Sequence, residues 1–299
     1  MKLLPARSLR LSALLAAITL AISSVASAAA TYTVDLTSPW KIGQGYSAVV
    51  TSSQSSATTV SVGGKKVQEQ VQRRAASFEA DAKVLEVYPH GGLRKASFKI
   101  RSLRASKDGA PETEFLPAGT EVVAESTGVT EKEFTVNGKK ATDEQKAVLG
   151  MIITTDGSRH NDQILFGPKN PVAIGDQWSL NGDQLKETIG KEFGTIAVSQ
   201  GTMRLDAIEG SGDSQIAVVS GKVNFKGIQP ELPPGVKPTA GQFQAVLDGR
   251  IPATRTASKR VENLTATADL GGEADGPNGA KMTFAVKVEA KHSSVLTFP

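Results

Sequence analysis

Residues 281–288 read KMTFAVKV, and the alternation in this stretch decides the fold class. Every second side chain is apolar, and Lys281, Thr283 and Lys287 occupy positions between the apolar ones. Successive side chains of a β-strand point to opposite faces of the sheet. The stretch therefore predicts a strand with one buried face and one wet face.

The same alternation recurs in residues 95–101, KASFKIR, and in residues 217–225, AVVSGKVNF. Glycine-containing pairs that favour tight turns punctuate the chain, at Gly63-Gly64, Gly91-Gly92, Asn137-Gly138 and Gly271-Gly272. Strands joined by such short turns pair antiparallel. We therefore predict an all-β protein built mainly of antiparallel, curved sheets.

Three segments need separate treatment. Residues 142–145, TDEQ, have the form of a capping box and predict one short helix. The apolar residues of segment 67–82 fit helical spacing as well as a long strand that continues into residues 84–88; the flanking turns favour the strand. The proline-rich run 229–238 predicts a stiff, extended crossover.

Two distant segments resemble each other, SPWKIGQGYS at residues 38–47 and NPVAIGDQWS at residues 170–179. The matched positions are Pro39 with Pro171, Ile42 with Ile174, Gly43 with Gly175, and Tyr46 with Trp178. Proline limits strand pairing, glycine permits a tight bend, and the aromatic ring is expected on the core side of the strand that follows.

This internal similarity predicts two similar β units, at residues 31–140 and 165–299, joined by a helix-containing connector at residues 141–164. The sequence leaves open whether the units are separate domains or parts of one continuous structure.

Around the repeated motif the chain resembles a family of uncharacterised exported bacterial proteins. Its members carry a G-x-x-Y strand start, here Gly43 to Tyr46, and a later P-V-x-V-G-D-x-W element, here residues 171–178, PVAIGDQW. The resemblance implies a β-rich fold and a location in the cell envelope. It implies no activity and no catalytic residues.

The N-terminus predicts an export signal at residues 1–28. Lys2, Arg7 and Arg10 precede an apolar stretch at residues 11–22, which is too short for a lasting membrane anchor. Small residues then predict cleavage after Ala28, before Ala29, with cleavage after Ala30 as the alternative. We therefore expect a periplasmic or extracellular protein without a transmembrane anchor after processing.

Removal of the predicted signal would change the net charge of the protein. Three of the 34 basic side chains lie in residues 1–28, so 31 basic and 30 acidic side chains remain, a net charge of +1. The high pI is therefore no indication of nucleic-acid binding. The chain has no cysteine, which excludes disulfides, thiolate metal sites and cysteine nucleophiles.

The strongest string of catalytic residue types is DGSRHND at residues 156–162. In an extended chain Ser158, His160 and Asp162 share a face but lie about 6.6 Å apart in succession. A nucleophile and its base need a hydrogen bond of about 2.6–3.2 Å. The string therefore favours a polar loop, and we predict no catalytic site, with a hydrolase as the alternative.

Metal and cofactor signals are also weak. The three histidines, His90, His160 and His292, are far apart and in no metal-binding spacing, so we predict no metal and no cofactor. Lys95, Lys99 and Arg101 share one strand face and suggest an anionic envelope polymer as one partner; a solvated sheet face is the alternative.

Together these features predict a non-catalytic exported binding protein or envelope component. Curved antiparallel sheets often enclose apolar ligands, so a lipid or other apolar ligand is the most specific hypothesis. An outer-membrane β-barrel is a further alternative, although 15 aromatic residues in 299 are few for two interfacial girdles. The oligomeric state is not predicted.

Overall fold

The computed structural model describes residues 30–36, 39–128, 131–155, 162–230, 232, 235–252, 259–276 and 279–299. The predicted signal with Ala28 and Ala29, and the candidate residues Ser158 and His160, lie outside these residues. The described residues between Tyr32 and Pro299 belong to one compact unit.

Long strands dominate the described chain. They are β1 (Thr31–Tyr32), β2 (Gly45–Val62), β3 (Lys65–Val87), β4 (Leu93–Lys107), β5 (Thr113–Leu116), β6 (Glu121–Ser126), β7 (Lys132–Val136), β8 (Lys139–Lys140), β9 (Val172–Ala173), β10 (Gln177–Ser179), β11 (Thr195–Glu209), β12 (Ile216–Gln229), β13 (Lys237–Pro252), β14 (Lys259–Asp275) and β15 (Lys281–Thr297). The all-β prediction is confirmed.

Thirteen strands of the described chain form one antiparallel sheet. Its order is β10-β11-β12-β13-β14-β15-β2-β3-β4-β6-β7-β8, with β5 paired to β4. The last strand, β15, pairs with β2 along its whole length, from Met282 opposite Val62 to Thr297 opposite Ser47. The long strands of the two predicted units therefore belong to one continuous sheet, while β1 and β9 pair in a separate two-stranded sheet.

Segment 65–87 is the strand that the flanking turns favoured. Its partner β2 runs antiparallel to it from Gly45 opposite Lys83 to Val62 opposite Lys65. Because both strands are long and joined at Gly63-Gly64, they form an extended hairpin.

The predicted helix is α1 (Asp143–Ile152), and its capping box is present. The Thr142 N–H donates to Gln145 Oε1 at 2.9 Å, and the Gln145 N–H donates to Thr142 Oγ1 at 3.2 Å. These two bonds satisfy backbone donors that the first helical turn leaves free. Leu149 and Ile152 are buried and fasten the helix to the sheet.

The described residues contain two further short helices that the sequence analysis did not predict, α2 (Asp162–Phe166) and α3 (Gly182–Phe193). Asn181 caps α3: its Nδ2 donates to Gln184 Oε1 at 2.5 Å, and its Oδ1 accepts from the Gln184 N–H at 3.4 Å. Asn181-x-x-Gln184 has the spacing of the first capping box. Gly182 and Gly190 within the helix lower its intrinsic propensity and hid it.

Apolar side chains form two buried clusters. The first is centred on β2, β3, β4 and β6 and includes Phe78, Phe98 and Ile100; α1 packs on it. The second is centred on β11 and β12 and includes Leu205 and Phe225. Between the clusters lie β13, β14 and β15, which carry the candidate site.

Candidate functional site

One face of the sheet carries both clusters, and we call it the cluster face. Tyr46, Ala48 and Val50 of β2 lie on it in the first cluster. Alternation places Ser56, Thr58 and Val60 on the same face further along β2. Residues directly opposite on neighbouring strands share a face, so the register extends this face across the sheet.

On β15 the cluster face holds Phe284 opposite Val60, Val286 opposite Thr58, and Val288 opposite Ser56. The next strands continue it in the same way. Leu270, Ala268 and Ala266 of β14 lie opposite Val286, Val288 and Ala290, and Phe243, Ala245 and Leu247 of β13 lie opposite Ala268, Ala266 and Leu264. Apolar side chains therefore run from the second cluster across β13, β14 and β15, and on β2 the face becomes mixed, with Ser56 and Thr58 beside Val60.

We define the central patch as twelve apolar side chains on the cluster face of these three strands. They are Phe243, Ala245, Leu247, Leu264, Ala266, Ala268, Leu270, Met282, Phe284, Val286, Val288 and Ala290. Ala245 and Ala268 are buried and Leu264 is 36% exposed; the remaining members are half-buried. Half-buried apolar side chains over three neighbouring strands form a surface that favours an apolar partner.

The opposite face of the same strands is charged. Lys281 and Glu273 lie 2.5 Å apart there, and Lys287 and Asp269 lie 4.0 Å apart. These side chains are largely solvated, so they keep this face wet and contribute little to stability. The two faces of β14 and β15 therefore differ sharply in polarity, and only one is suited to an apolar ligand.

The proline-rich connector borders one end of the central patch. Gly272 of β14 lies on the cluster face, opposite Phe284. A Cβ atom at Gly272 would lie 2.6 Å from Leu232 Cδ1 and 2.8 Å from Val236 Cγ1. Leu232 and Val236 of the connector therefore lie over the cluster face here. The connector joins the neighbouring antiparallel strands β12 and β13 as a hairpin loop, so the prediction of a crossover is wrong.

Helix α1 borders the other end. Between the C-terminal end of α1 and the sheet lies an open groove of about 380 Å³. Its lining is partly apolar, through Met151, Leu264 and Ala290, and partly polar, through Gln54 and His292. The central patch therefore ends in a polar group of side chains on this side.

His292 is half-buried, and this burial lowers its pKa below the usual range. The Glu262 carboxylate and the Met151 backbone oppose this effect, while the Lys132 ammonium reinforces it. Lys132 Nζ donates to the Ile153 carbonyl at 3.1 Å, directly after α1. A largely neutral imidazole at pH 7 can accept or donate a hydrogen bond without adding charge to the groove.

The repeated motif forms two turns of the same geometry. Gly43 and Gly175 both have positive φ, 83° and 94°. The Gly43 N–H donates to the Val84 carbonyl at 2.9 Å, and the Gly175 N–H donates to the Leu205 carbonyl at 2.7 Å. In return the Val84 N–H donates to the Gln44 carbonyl, and the Leu205 N–H donates to the Asp176 carbonyl.

The likeness extends into the strands that follow. The register of β3 with β4 shifts between Val84 and Glu86, and the register of β11 with β12 shifts between Leu205 and Ala207. Each turn therefore joins its strand just before an irregularity of the same kind.

The other motif residues divide between core and surface. Tyr46 is buried, which raises the pKa of its hydroxyl, and Trp178 packs against the second cluster while its Nε1 donates to the Phe166 carbonyl at 2.7 Å. Ile42 and Ile174 are 70% and 51% exposed. Both prolines are exposed, and Pro39 also lies against Gly91.

The basic strand face predicted around Lys95 is largely neutralised. Lys95 Nζ lies 2.8 Å from a Glu125 oxygen, and this hydrogen bond raises the pKa of the lysine. Arg94 lies 3.1 Å from Glu86, and Arg101 lies 3.3 Å from Asp81. These pairs favour the solvated sheet face over a polymer-binding surface.

The described candidate catalytic and metal-ligating residues do not lie together. Of the catalytic string, only Asp162 falls in the described chain, where it begins α2. His90 stacks on Tyr88, with ring centroids 5.3 Å apart. No group of three or more metal-ligating side chains occurs among the residues that the structure describes.

Sequence reasoning identified β15 of the central patch but not β13, β14 or the patch itself. The alternation of KMTFAVKV indicates which side chains share a face. It does not indicate whether another element covers them. Within the described ranges, no helix has the length and apolar character needed to cross a membrane.

Comparisons with known proteins give no family. No family model matches the chain, and no curated protein matches it. The resemblance to uncharacterised exported bacterial proteins therefore stays a prediction.

Distant likenesses to solved structures exist. A structure titled "Lipid-protein interactions in lipovitellin" is 11% identical over 87% of this chain and 26% of that chain, with a TM-score of 0.31. An outer membrane channel from Pseudomonas putida F1 is 10% identical over 87% and 99% of the two chains, with a TM-score of 0.18. MucB in complex with MucA is 9% identical over 79% and 87%, with a TM-score of 0.14. The chain thus spans about a quarter of the lipovitellin chain, and TM-scores this low carry no functional argument.

Proposed function

We propose that the protein is exported and binds an apolar or amphipathic ligand, with a lipid as the most specific case, on the central patch. The observation that carries the proposal is the run of half-buried apolar side chains on β13, β14 and β15. Apolar surface of this kind gains free energy when a ligand removes it from water, roughly 25 cal/mol for each Å².

The dimensions of the central patch favour an elongated ligand. From Phe284 to Ala290 the strand rises about 20 Å, and three neighbouring strands span roughly 10 Å. The patch is bordered by the connector at Gly272 and by α1 at Leu264. An acyl chain lying along β14 and β15 would contact valine, leucine and alanine side chains over this length.

The polar end of the groove favours an amphipathic ligand over a pure hydrocarbon. Gln54 and His292 line the groove beside Leu264 and Ala290. A headgroup placed there would find hydrogen-bonding groups, while its chain would remain on the apolar side chains. Pockets for such ligands combine a mostly apolar lining with a few polar groups in this way.

Lipid analysis of the purified protein tests the proposal directly. The protein, expressed with its N-terminal segment and purified without detergent, would be extracted with organic solvent and the extract analysed by mass spectrometry. We expect a lipid in stoichiometric amount. Protein that carries no lipid and also fails to bind fluorescent palmitate would contradict the proposal.

A matched pair of variants locates the binding surface. Leu264 lies on the cluster face and is 36% exposed, whereas Val246 lies on the charged face of the neighbouring strand and is 42% exposed. Leu264→Ser should weaken binding of fluorescent palmitate, and Val246→Ser should leave it unchanged. Equal effects would show that the probe binds elsewhere.

Export is tested by cell fractionation and N-terminal sequencing of the mature protein. The proposal expects protein outside the cytoplasm that starts at Ala29, or at Thr31 for the alternative cleavage. An intact N-terminus in the cytoplasmic fraction would contradict it. Recovery in the membrane fraction would support the outer-membrane alternative instead.

We further infer that the two β units are copies of one ancestral unit. The equal turns at Gly43 and Gly175 and the equally placed irregularities after Val84 and Leu205 support this inference. The pairing of β15 with β2 would join the two copies in one sheet. The strands β13, β14 and β15 would then lie between the two cores, with neither core packed over them.

A further inference from the structure

The first half of β3 extends beyond its neighbour β4. Strand β4 pairs with β3 only from Arg74, opposite Lys107, to Val87, opposite Leu93. On the other side, β2 pairs with β3 as far as Lys65. In the part of the chain that the structure describes, residues 65–72 therefore have a strand on one side only, and all of them are exposed. We call residues 65–72 the free edge.

Asp108 marks the point at which the free edge begins. The Arg73 N–H donates to Asp108 Oδ1 at 3.1 Å, and the Asp108 N–H donates to the Arg73 carbonyl at 2.7 Å. Backbone groups of alternate residues in a strand point to the same side. The backbone N–H and carbonyl groups of Val71 and Glu69 therefore point away from β2, in the same direction as those of Arg73.

These backbone groups are set up to pair with another strand. A free edge of eight residues spans about 27 Å. Natural sheets usually shorten, bend or cover such edges because they template pairing with other chains. Here two large apolar side chains are also exposed, Val67 at 61% and Val71 at 39%. Edge geometry and exposed valines together define an interaction surface.

The charges around the free edge are mainly positive. Lys65 and Lys66 lie at one end, and Arg73 and Arg74 lie just beyond the other. Glu69 is the single carboxylate of the stretch, and it lies 2.8 Å from Lys66 Nζ. A strand that pairs here meets an excess of positive charge at both ends, because Arg73 and Arg74 together outnumber the Asp108 carboxylate at the second end.

We propose that the free edge binds an extended acidic segment of another protein, which adds to the sheet as a strand. Backbone hydrogen bonds to Val71 and Glu69 would supply affinity, and acidic side chains near the ends of the segment would supply specificity. The proposal does not depend on the ligand of the central patch.

The charges also argue against a second copy of this chain as the occupant. Two copies pairing edge to edge about a two-fold axis would run antiparallel. That arrangement would place Lys65 and Lys66 of each copy against Arg73 and Arg74 of the other, and like charges directly opposite destabilise a strand pair. An acidic partner removes this repulsion.

A designed peptide tests the proposal. The probe has the composition Glu-Glu-Val-Thr-Val-Thr-Val-Thr-Glu-Glu, and the control peptide keeps its charge but has proline in place of two threonines. Calorimetric titration should show binding of the probe and not of the control. Binding of neither peptide, or of both equally, would overturn the proposal.

Variants of the edge separate backbone pairing from charge attraction. Val71→Pro removes one outward N–H, and proline is tolerated where the N–H faces solvent on an edge. Loss of a hydrogen bond should weaken probe binding about tenfold. Val71→Thr keeps the N–H and should bind like the parent protein. Equal binding by the proline variant would exclude strand addition.

Two further measurements complete the test. The double variant Lys65→Glu, Arg73→Glu should lose probe binding, and urea unfolding would confirm that the three edge variants fold. Hydrogen exchange should slow at the amides of Val71 and Glu69 when the probe is present. Concentration-dependent dimerisation of the parent protein that Val71→Pro abolishes would overturn the proposal in favour of a second copy.

Discussion

Strands β4 and β15 carry the same alternation but meet different surroundings. On the cluster face, β4 presents Ala96, Phe98 and Ile100, which are 0%, 3% and 1% exposed. On the same face β15 presents Phe284, Val286 and Val288, which are half-buried. The difference therefore arises from what covers each strand and not from its own residues.

The cover over the first cluster is identifiable. Helix α1 packs on it with Leu149 and Ile152, which are 0% and 2% exposed. The rings of Phe78 and Phe98 meet at 6.0 Å between centroids, and those of Tyr46 and Phe98 at 6.4 Å. An apolar strand face is thus core where a helix and aromatic side chains pack on it, and it stays half-buried on β15, where we propose that the ligand binds.

Truncation of a phenylalanine should give the largest difference in stability between β4 and β15. Phe98→Ala removes a ring from the first cluster and should lower the free energy of unfolding by about 3–5 kcal/mol, because it leaves a cavity among packed side chains. Phe284→Ala removes the same ring from a half-buried site and should cost much less. Urea unfolding of both variants measures the difference, and equal losses would show that the central patch is packed as core.

Ligand binding should stabilise the protein through the central patch. A fatty acid at about 100 times its Kd should raise the free energy of unfolding by about 2.7 kcal/mol, because it binds only the folded chain. Val288→Asp places a carboxylate in the patch and should abolish this increase. The control is Glu289→Asp on the charged face, where the parent's increase should persist. If the fatty acid stabilised Val288→Asp by the full amount, the ligand would have to bind outside the central patch.

Capping variants test the helices on either side of the central patch. Thr142→Ala removes the cap of α1 and Asn181→Ala removes the cap of α3, and each should cost about 1 kcal/mol. Thermal unfolding measured by circular dichroism would detect both losses. Thr142→Ser keeps the hydroxyl and should restore most of the stability; a loss as large as that of Thr142→Ala would show that the cap is not what the substitution disrupts.

These expectations show which parts of the structure were predictable. Alternation predicted β4, β12 and β15, and the Thr142–Gln145 spacing predicted α1, since both signals are local. The pairing of Val62 with Met282 joins residues more than 200 positions apart, and no local pattern contains it. The exposure of the central patch also depends on elements distant in sequence. The sequence therefore predicted an apolar strand face but not whether that face is covered.

The smallest expected effect concerns His292, at the polar end of the central patch. Burial lowers its pKa in the folded state, so below a pH of about 6.5 the unfolded chain binds a proton more readily than the folded one. The stability that the neutral imidazole contributes is therefore fully present above that pH and is lost as pH falls towards the folded-state pKa. His292→Asn removes the titrating group, and the variant should lose less stability than the parent between pH 7.5 and pH 5. Urea unfolding at the two pH values measures this, and titrating carboxylates contribute equally to both proteins. An identical pH dependence would mean that His292 is solvated in the folded protein, and that the groove beside α1 is as wet as the charged face.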